Sequence, residues 1–241
     1  MILIIQKQML NLTSKAFNAP NESVNLDINC IFIAVPKTGT TSIRSQVKSK
    51  GPYMINEAHL TISQVESLLY PYLLACNLSK NRSFPTKPEI LSDSELRQSS
   101  NDIFQNAFKF GSVRNPWARV YSLYRRTEGI QMSATCSLSE FVKSIQYASD
   151  TCVRPLKTRS QLDWFKDTQG KIIMDYIIKL EEIDSAIQTI QDMTNNRIRV
   201  SNVMRNVNPN KQSYKDAFNQ EDKNVVGAIF AEEIEYFGYT F

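Results

Sequence analysis

Pro36-Lys37-Thr38-Gly39-Thr40-Thr41-Ser42 combines a cation, a glycine and four hydroxyls over seven residues. These are the parts of an anion cradle. Glycine lets the backbone turn sharply, the hydroxyls donate hydrogen bonds, and a helix starting here presents unpaired N–H groups to a phosphate or sulfate. The lysine precedes the glycine, and no second glycine leads into Lys-Ser/Thr, so this is not the phosphate loop of ATPases. His59 is the only imidazole in the chain, with Glu57 two residues before it, and either offers a base for removing a proton. Asp175 follows an apolar run, where a magnesium-binding aspartate of a nucleotide hydrolase would stand, and otherwise reads as a structural residue at a strand. The four cysteines, Cys30, Cys76, Cys136 and Cys152, form no CxxC pair, and one histidine gives little basis for a zinc site. They read as reduced thiols, with a Cys136–Cys152 bridge as the alternative for a trimmed lumenal domain.

These residues must be positioned by elements legible from pattern. Residues 30–35 are continuously apolar and end at Pro36, which predicts a strand buried on both faces of a parallel sheet, then a tight loop and a helix opening at Thr41. A second strand-turn-helix unit runs through Phe108 to Val113 and turns at Arg114-Asn115. Asn115 is its N-cap, and Pro116 takes the first helical position. Between the two, Thr61 to Cys76 has helical spacing, bent or broken by Pro71. Residues 77–102 are polar and read as a surface insertion. Ser137-Leu-Ser-Glu140 is a capping box ahead of a helix from Phe141 to Ala148. Ile172 to Ile178 predicts another buried strand, Ile183 to Met193 a helix, and Gln220 to Tyr236 a closing amphipathic helix. Strands alternating with helices define a three-layer α/β fold with a mostly parallel central sheet, whose ligand sites lie beyond the carboxyl ends of the strands. One domain is expected over residues 29–241, preceded by an N-terminal extension at 1–28.

Two segments together carry a family resemblance. Ile33-Ala-Val-Pro-Lys-Thr-Gly-Thr-Thr-Ser-Ile43 is similar to the 5′-phosphosulfate loop, and Phe108-Lys-Phe-Gly-Ser-Val-Arg-Asn-Pro-Trp-Ala-Arg-Val-Tyr-Ser-Leu-Tyr124 to the 3′-phosphate motif, of sulfotransferases that use 3′-phosphoadenosine 5′-phosphosulfate (PAPS). The resemblance is to the carbohydrate type, which includes the heparan sulfate 2-O- and 6-O-sulfotransferases and many bacterial relatives. Gly170 to Glu182 resembles a later strand of that family, Asn206 to Tyr214 its cofactor-side loop, and Ile234 to Phe241 its usual ending.

The resemblance implies the P-loop-like sulfotransferase fold and transfer of a sulfuryl group from PAPS to an acceptor hydroxyl, on a carbohydrate or glycan. It implies that Lys37 meets the phosphosulfate and acts in catalysis, while Thr38, Gly39, Thr40, Thr41 and Ser42 surround the 5′-phosphate. Arg114 and Ser122 would hold the 3′-phosphate, His59 would be the catalytic base, and no metal would be required. Arg119, Arg125 and Arg126 read as the wet face of their helix or as contacts to a polyanionic acceptor. Trp117 and Trp164 read as core or adenine-side packing.

Composition sets the outer bounds. At 241 residues and 42% hydrophobic content, one sizeable core is available. A net charge of +4 suits an anionic ligand without the strongly basic balance of a nucleic-acid binder. The N-terminal apolar run, Met1 to Ile5, falls short of the roughly 20 residues of a membrane helix and of a signal-peptide core, so no membrane span is expected. The resemblance to bacterial relatives implies a cytoplasmic location, with the lumen of the Golgi as the alternative for a trimmed domain. The competing functions are a magnesium-dependent nucleotide kinase-like enzyme and a non-catalytic nucleotide-binding module.

Overall fold

Every side chain of the apolar segment Cys30–Ile33 (β2) is buried, because β2 sits inside the sheet with helices on both of its faces. The computed structural model describes residues 17–80, 91–125, 132–147, 159–201 and 213–241. β2 pairs in parallel with Phe108–Val113 (β3), aligning Ile33 with Gly111. β3 in turn pairs in parallel with Tyr176–Lys179 (β4). Val24–Asn25 (β1) adds antiparallel to the far side of β2, giving the order β1-β2-β3-β4. The helices are α1 (Thr40–Val47), α2 (Ile62–Lys80), α3 (Asp93–Asn106), α4 (Pro116–Arg125), α5 (Leu138–Tyr147), α6 (Ile183–Met193), α7 (Tyr214–Ala217), α8 (Gln220–Ile229) and α9 (Ala231–Phe237).

Strand periodicity divides the core in two. Ile31, Ile33 and Val113 point to one face and pack with Ile62, Val65 and Leu69 of α2 and Phe104 of α3. Cys30, Phe32, Phe110 and Ile178 point to the other, against Ile43 and Val47 of α1 and Ala186, Ile187 and Ile190 of α6. A sheet apolar on both faces explains why its strands read as unbroken hydrophobic runs. A third cluster joins α4 to α5 and α8 through Trp117, Val120, Phe141, Val142, Val226 and Phe230. No helix among the described residues is long and apolar enough to cross a membrane.

Several boundaries differ from the sequence expectation. Helix α2 runs through Pro71 without breaking and continues to Lys80. Residues 77–102, expected as a polar insertion, hold the last turn of α2 and much of α3. A reciprocal Ser92–Glu95 capping box starts α3, and its Leu96 and Phe104 are buried. The apolar run from Ile172 becomes strand only at Tyr176. Its first part turns back on itself, with Ile172 bridging antiparallel to Lys166. The expected closing helix is two helices, α8 and α9, meeting at Phe230. The stretch expected as an extension at 1–28 contributes β1. The capping box at Ser137 is present, with Glu140 N–H donating to Ser137 Oγ (3.2 Å) and Ser137 N–H to the Glu140 carboxylate (2.7 Å).

Candidate active site

The loop between β2 and α1 carries the Lys37 cradle. Lys37 is a non-glycine residue in the left-handed region (φ 70°), a conformation that costs an L-residue roughly 1 kcal/mol or more. Gly39 (φ 75°) is the N-cap of α1, and no side chain caps the helix. The first-turn N–H groups of α1 therefore have no intrahelical acceptor, and no acidic residue stands in that turn to compete with an incoming anion. A Cβ at Gly39 would lie 2.5 Å from Leu180 Cδ1, so a side chain there would also have to push the Leu180 side chain aside. Thr38 and Thr40 are buried, Lys37 and Ser42 half-buried, and Gly39 and Thr41 exposed.

Arg114 leaves β3 at the neighbouring strand end. Asn115 caps α4, its Oδ1 accepting from Trp117 N–H (3.2 Å) and its Nδ2 donating to Thr240 O (2.7 Å). Arg114 is half-buried. Burial lowers its pKa, an effect opposed by the negative charge of Glu181 at the end of β4. Glu181 also accepts from Asn115 N–H (2.8 Å) and from the Tyr239 hydroxyl (3.2 Å).

The two loops are joined through the residues on either side of Lys37. Thr38 Oγ1 and Ser112 Oγ lie 2.8 Å apart, with Ser112 Oγ also donating to Thr38 O (3.1 Å). On the other side, Arg119 Nε donates to Pro36 O (3.3 Å). The chain segment that holds Arg114 thus bonds to both neighbours of Lys37. Ser122, one turn past Arg119 on the same flank of α4, is half-buried.

His59 reaches the same end of the sheet. Its Nδ1 donates to Ala34 O (2.7 Å), just past β2. A carbonyl can only accept, so the proton of the neutral ring sits on Nδ1 and the Nε2 lone pair is left to take a proton. Trp164 is fully buried and meets the imidazole edge to face at 6.4 Å. Glu57, the other candidate base, is exposed and accepts from His59 N–H (2.8 Å), which orients the histidine's own loop.

The remaining candidates fall elsewhere. Asp175 accepts from Lys109 N–H (2.7 Å) at the start of β3, the end of the sheet remote from Arg114, as a structural residue would. A groove of about 520 Å³ opens there, lined by Lys109, Asp167 and Asp175 and by neither the Lys37 loop nor the Arg114 turn. Trp117 is core, donating from Nε1 to Lys223 O (3.0 Å). Arg119 is not on a wet face: it is fully buried, because α4 presses this flank against the Pro36 loop. Arg126, Cys152 and residues 206–212 lie outside the described residues.

Sequence reading missed Ser112, which ties the two loops, and Gln161, Glu181 and Glu233, which brace the Arg114 turn. Only Ser112 and Glu181 carried a signal, through their places beside Arg114 and at the end of an apolar run. Comparison with family models, with curated proteins and with solved structures found no match.

Proposed function

We propose that the chain is a PAPS-dependent O-sulfotransferase of the P-loop-like sulfotransferase fold, acting on a hydroxyl of a carbohydrate or glycan. The observation that carries this reading is the pairing of two basic turns at adjacent parallel strand ends, tied through Thr38 and Ser112. A ligand with an anion at each end fits such a pair. PAPS supplies an activated sulfuryl group when bound, with a phosphosulfate at one end and a 3′-phosphate at the other.

The residues divide the work. The uncapped α1 N-terminus and the hydroxyls of Thr40, Thr41 and Ser42 hold the 5′ anion, and Lys37 offsets negative charge that builds on the departing phosphate oxygen. Arg114 and Ser122 hold the 3′-phosphate, the first through a fork of N–H donors. His59 takes the proton of the acceptor hydroxyl at Nε2 while Ala34 O steadies the ring from Nδ1. None of these roles needs a metal.

The test begins with thermal shift. Adenosine 3′,5′-bisphosphate should stabilise the protein without magnesium, whereas a response to Mg-ATP alone would point to kinase chemistry. Labelled PAPS offered with polysaccharide, lipid and small-alcohol acceptors then reads transfer and acceptor class together. Lys37→Ala and Arg114→Ala should each lower transfer by about 100-fold or more with the fold retained. Undiminished transfer by the Lys37 variant removes the mechanism, and bisphosphate binding without transfer to any acceptor leaves a binding module.

A further inference from the structure

The peptide of Arg114 is held by one buried side chain. Arg114 N–H donates to Gln161 Oε1 (2.9 Å), and Gln161 Nε2 donates to Arg114 O (2.8 Å). A single amide thus satisfies both backbone groups, as a neighbouring strand would. Gln161 belongs to the 3₁₀ turn Gln161–Trp164 and is fully buried.

Gln161 is itself clamped. Its backbone N–H donates to a Glu233 carboxylate oxygen, which also accepts from Ser160 Oγ (2.9 Å), and its Nε2 donates to the other oxygen (3.0 Å). Glu233, from α9, is fully buried, as is Arg119. A buried carboxylate and amide with all these bonds made define one geometry closely, and a lost partner would leave a desolvated polar group. The network ends at Arg114, one of the two residues assigned to the 3′-phosphate, rather than in general core.

We propose that Gln161, oriented by Glu233, is a positioning residue for 3′-phosphate recognition: it fixes the peptide of Arg114 and so the point from which the guanidinium is aimed. This rests on the sulfotransferase reading above. The consequence is specific, because misplacing Arg114 weakens the grip on the 3′-phosphate and leaves the Lys37 loop untouched.

The experiment compares the affinity for adenosine 3′,5′-bisphosphate with that for adenosine 5′-monophosphate by titration calorimetry. Wild type should prefer the bisphosphate, and Gln161→Met should lose that preference by roughly tenfold or more while 5′-monophosphate affinity holds. Combined with Arg114→Met, Gln161→Met should remove no further preference, because it acts through that arginine. A second variant guards against misfolding. Gln161→Glu together with Glu233→Gln keeps the side-chain volume, the buried charge and the 161–233 hydrogen bond, but sets a carboxylate oxygen against Arg114 O, and it should lose the preference likewise. A wild-type preference that survives in either folded variant, or that falls additively with Arg114→Met, overturns the positioning role alone. Absence of any preference in wild type overturns the sulfotransferase reading, and the inference with it.

Discussion

A histidine whose Nδ1–H is committed to a backbone carbonyl keeps one lone pair for chemistry, and at His59 that commitment is made to Ala34 at the end of β2. If Nε2 accepts the acceptor's proton, His59→Ala should lower kcat by about 100-fold or more, with bisphosphate affinity within about twofold of wild type. Equal losses in both would assign the ring to packing against Trp164 instead. The place of the Lys37 loop between a strand and a helix was legible in sequence because an apolar run, a proline and a glycine act locally. Arg119, Gln161 and Glu233 were not legible. Each is a polar residue whose usual place is the surface, and its burial is decided by contacts with distant parts of the chain.

Elements followed the same division. β3, the N-cap of α4 and the bounds of α6 matched the reading because apolar runs, Asn-Pro and helical spacing act over one turn or one strand. β4 was misjudged along its first part, where pairing back to Lys166 overrides an apolar run that looks like continuous strand. The junction between β2 and α1 supplies its own test. Gly39→Ala sets a Cβ into Leu180 and holds a side-chain-bearing residue at φ 75°, so it should destabilise by about 1–3 kcal/mol in denaturant unfolding and weaken nucleotide binding as well. A stable variant with intact binding would show that the loop tolerates another path.

Across the whole molecule, α9 acts on the site from the far end of the chain. Glu233→Ala removes the acceptor for Gln161 and Ser160 and the negative charge that partly offsets the cost of burying Arg119. It should lower unfolding stability by about 3 kcal/mol or more, read from the denaturant midpoint. A change below about 1 kcal/mol would mean that the buried charges are relieved by another route. The tie between Thr38 and Ser112, the amide at Gln161 and the carboxylate at Glu233 are separated by most of the sequence. A ribosome making this chain would release Lys37 well before Glu233, so the strand and loop that display the motif would form while the Arg114 turn is still unbraced. The setting of Arg114 would then be a property of the later fold rather than of the early strand and loop that first display the motif.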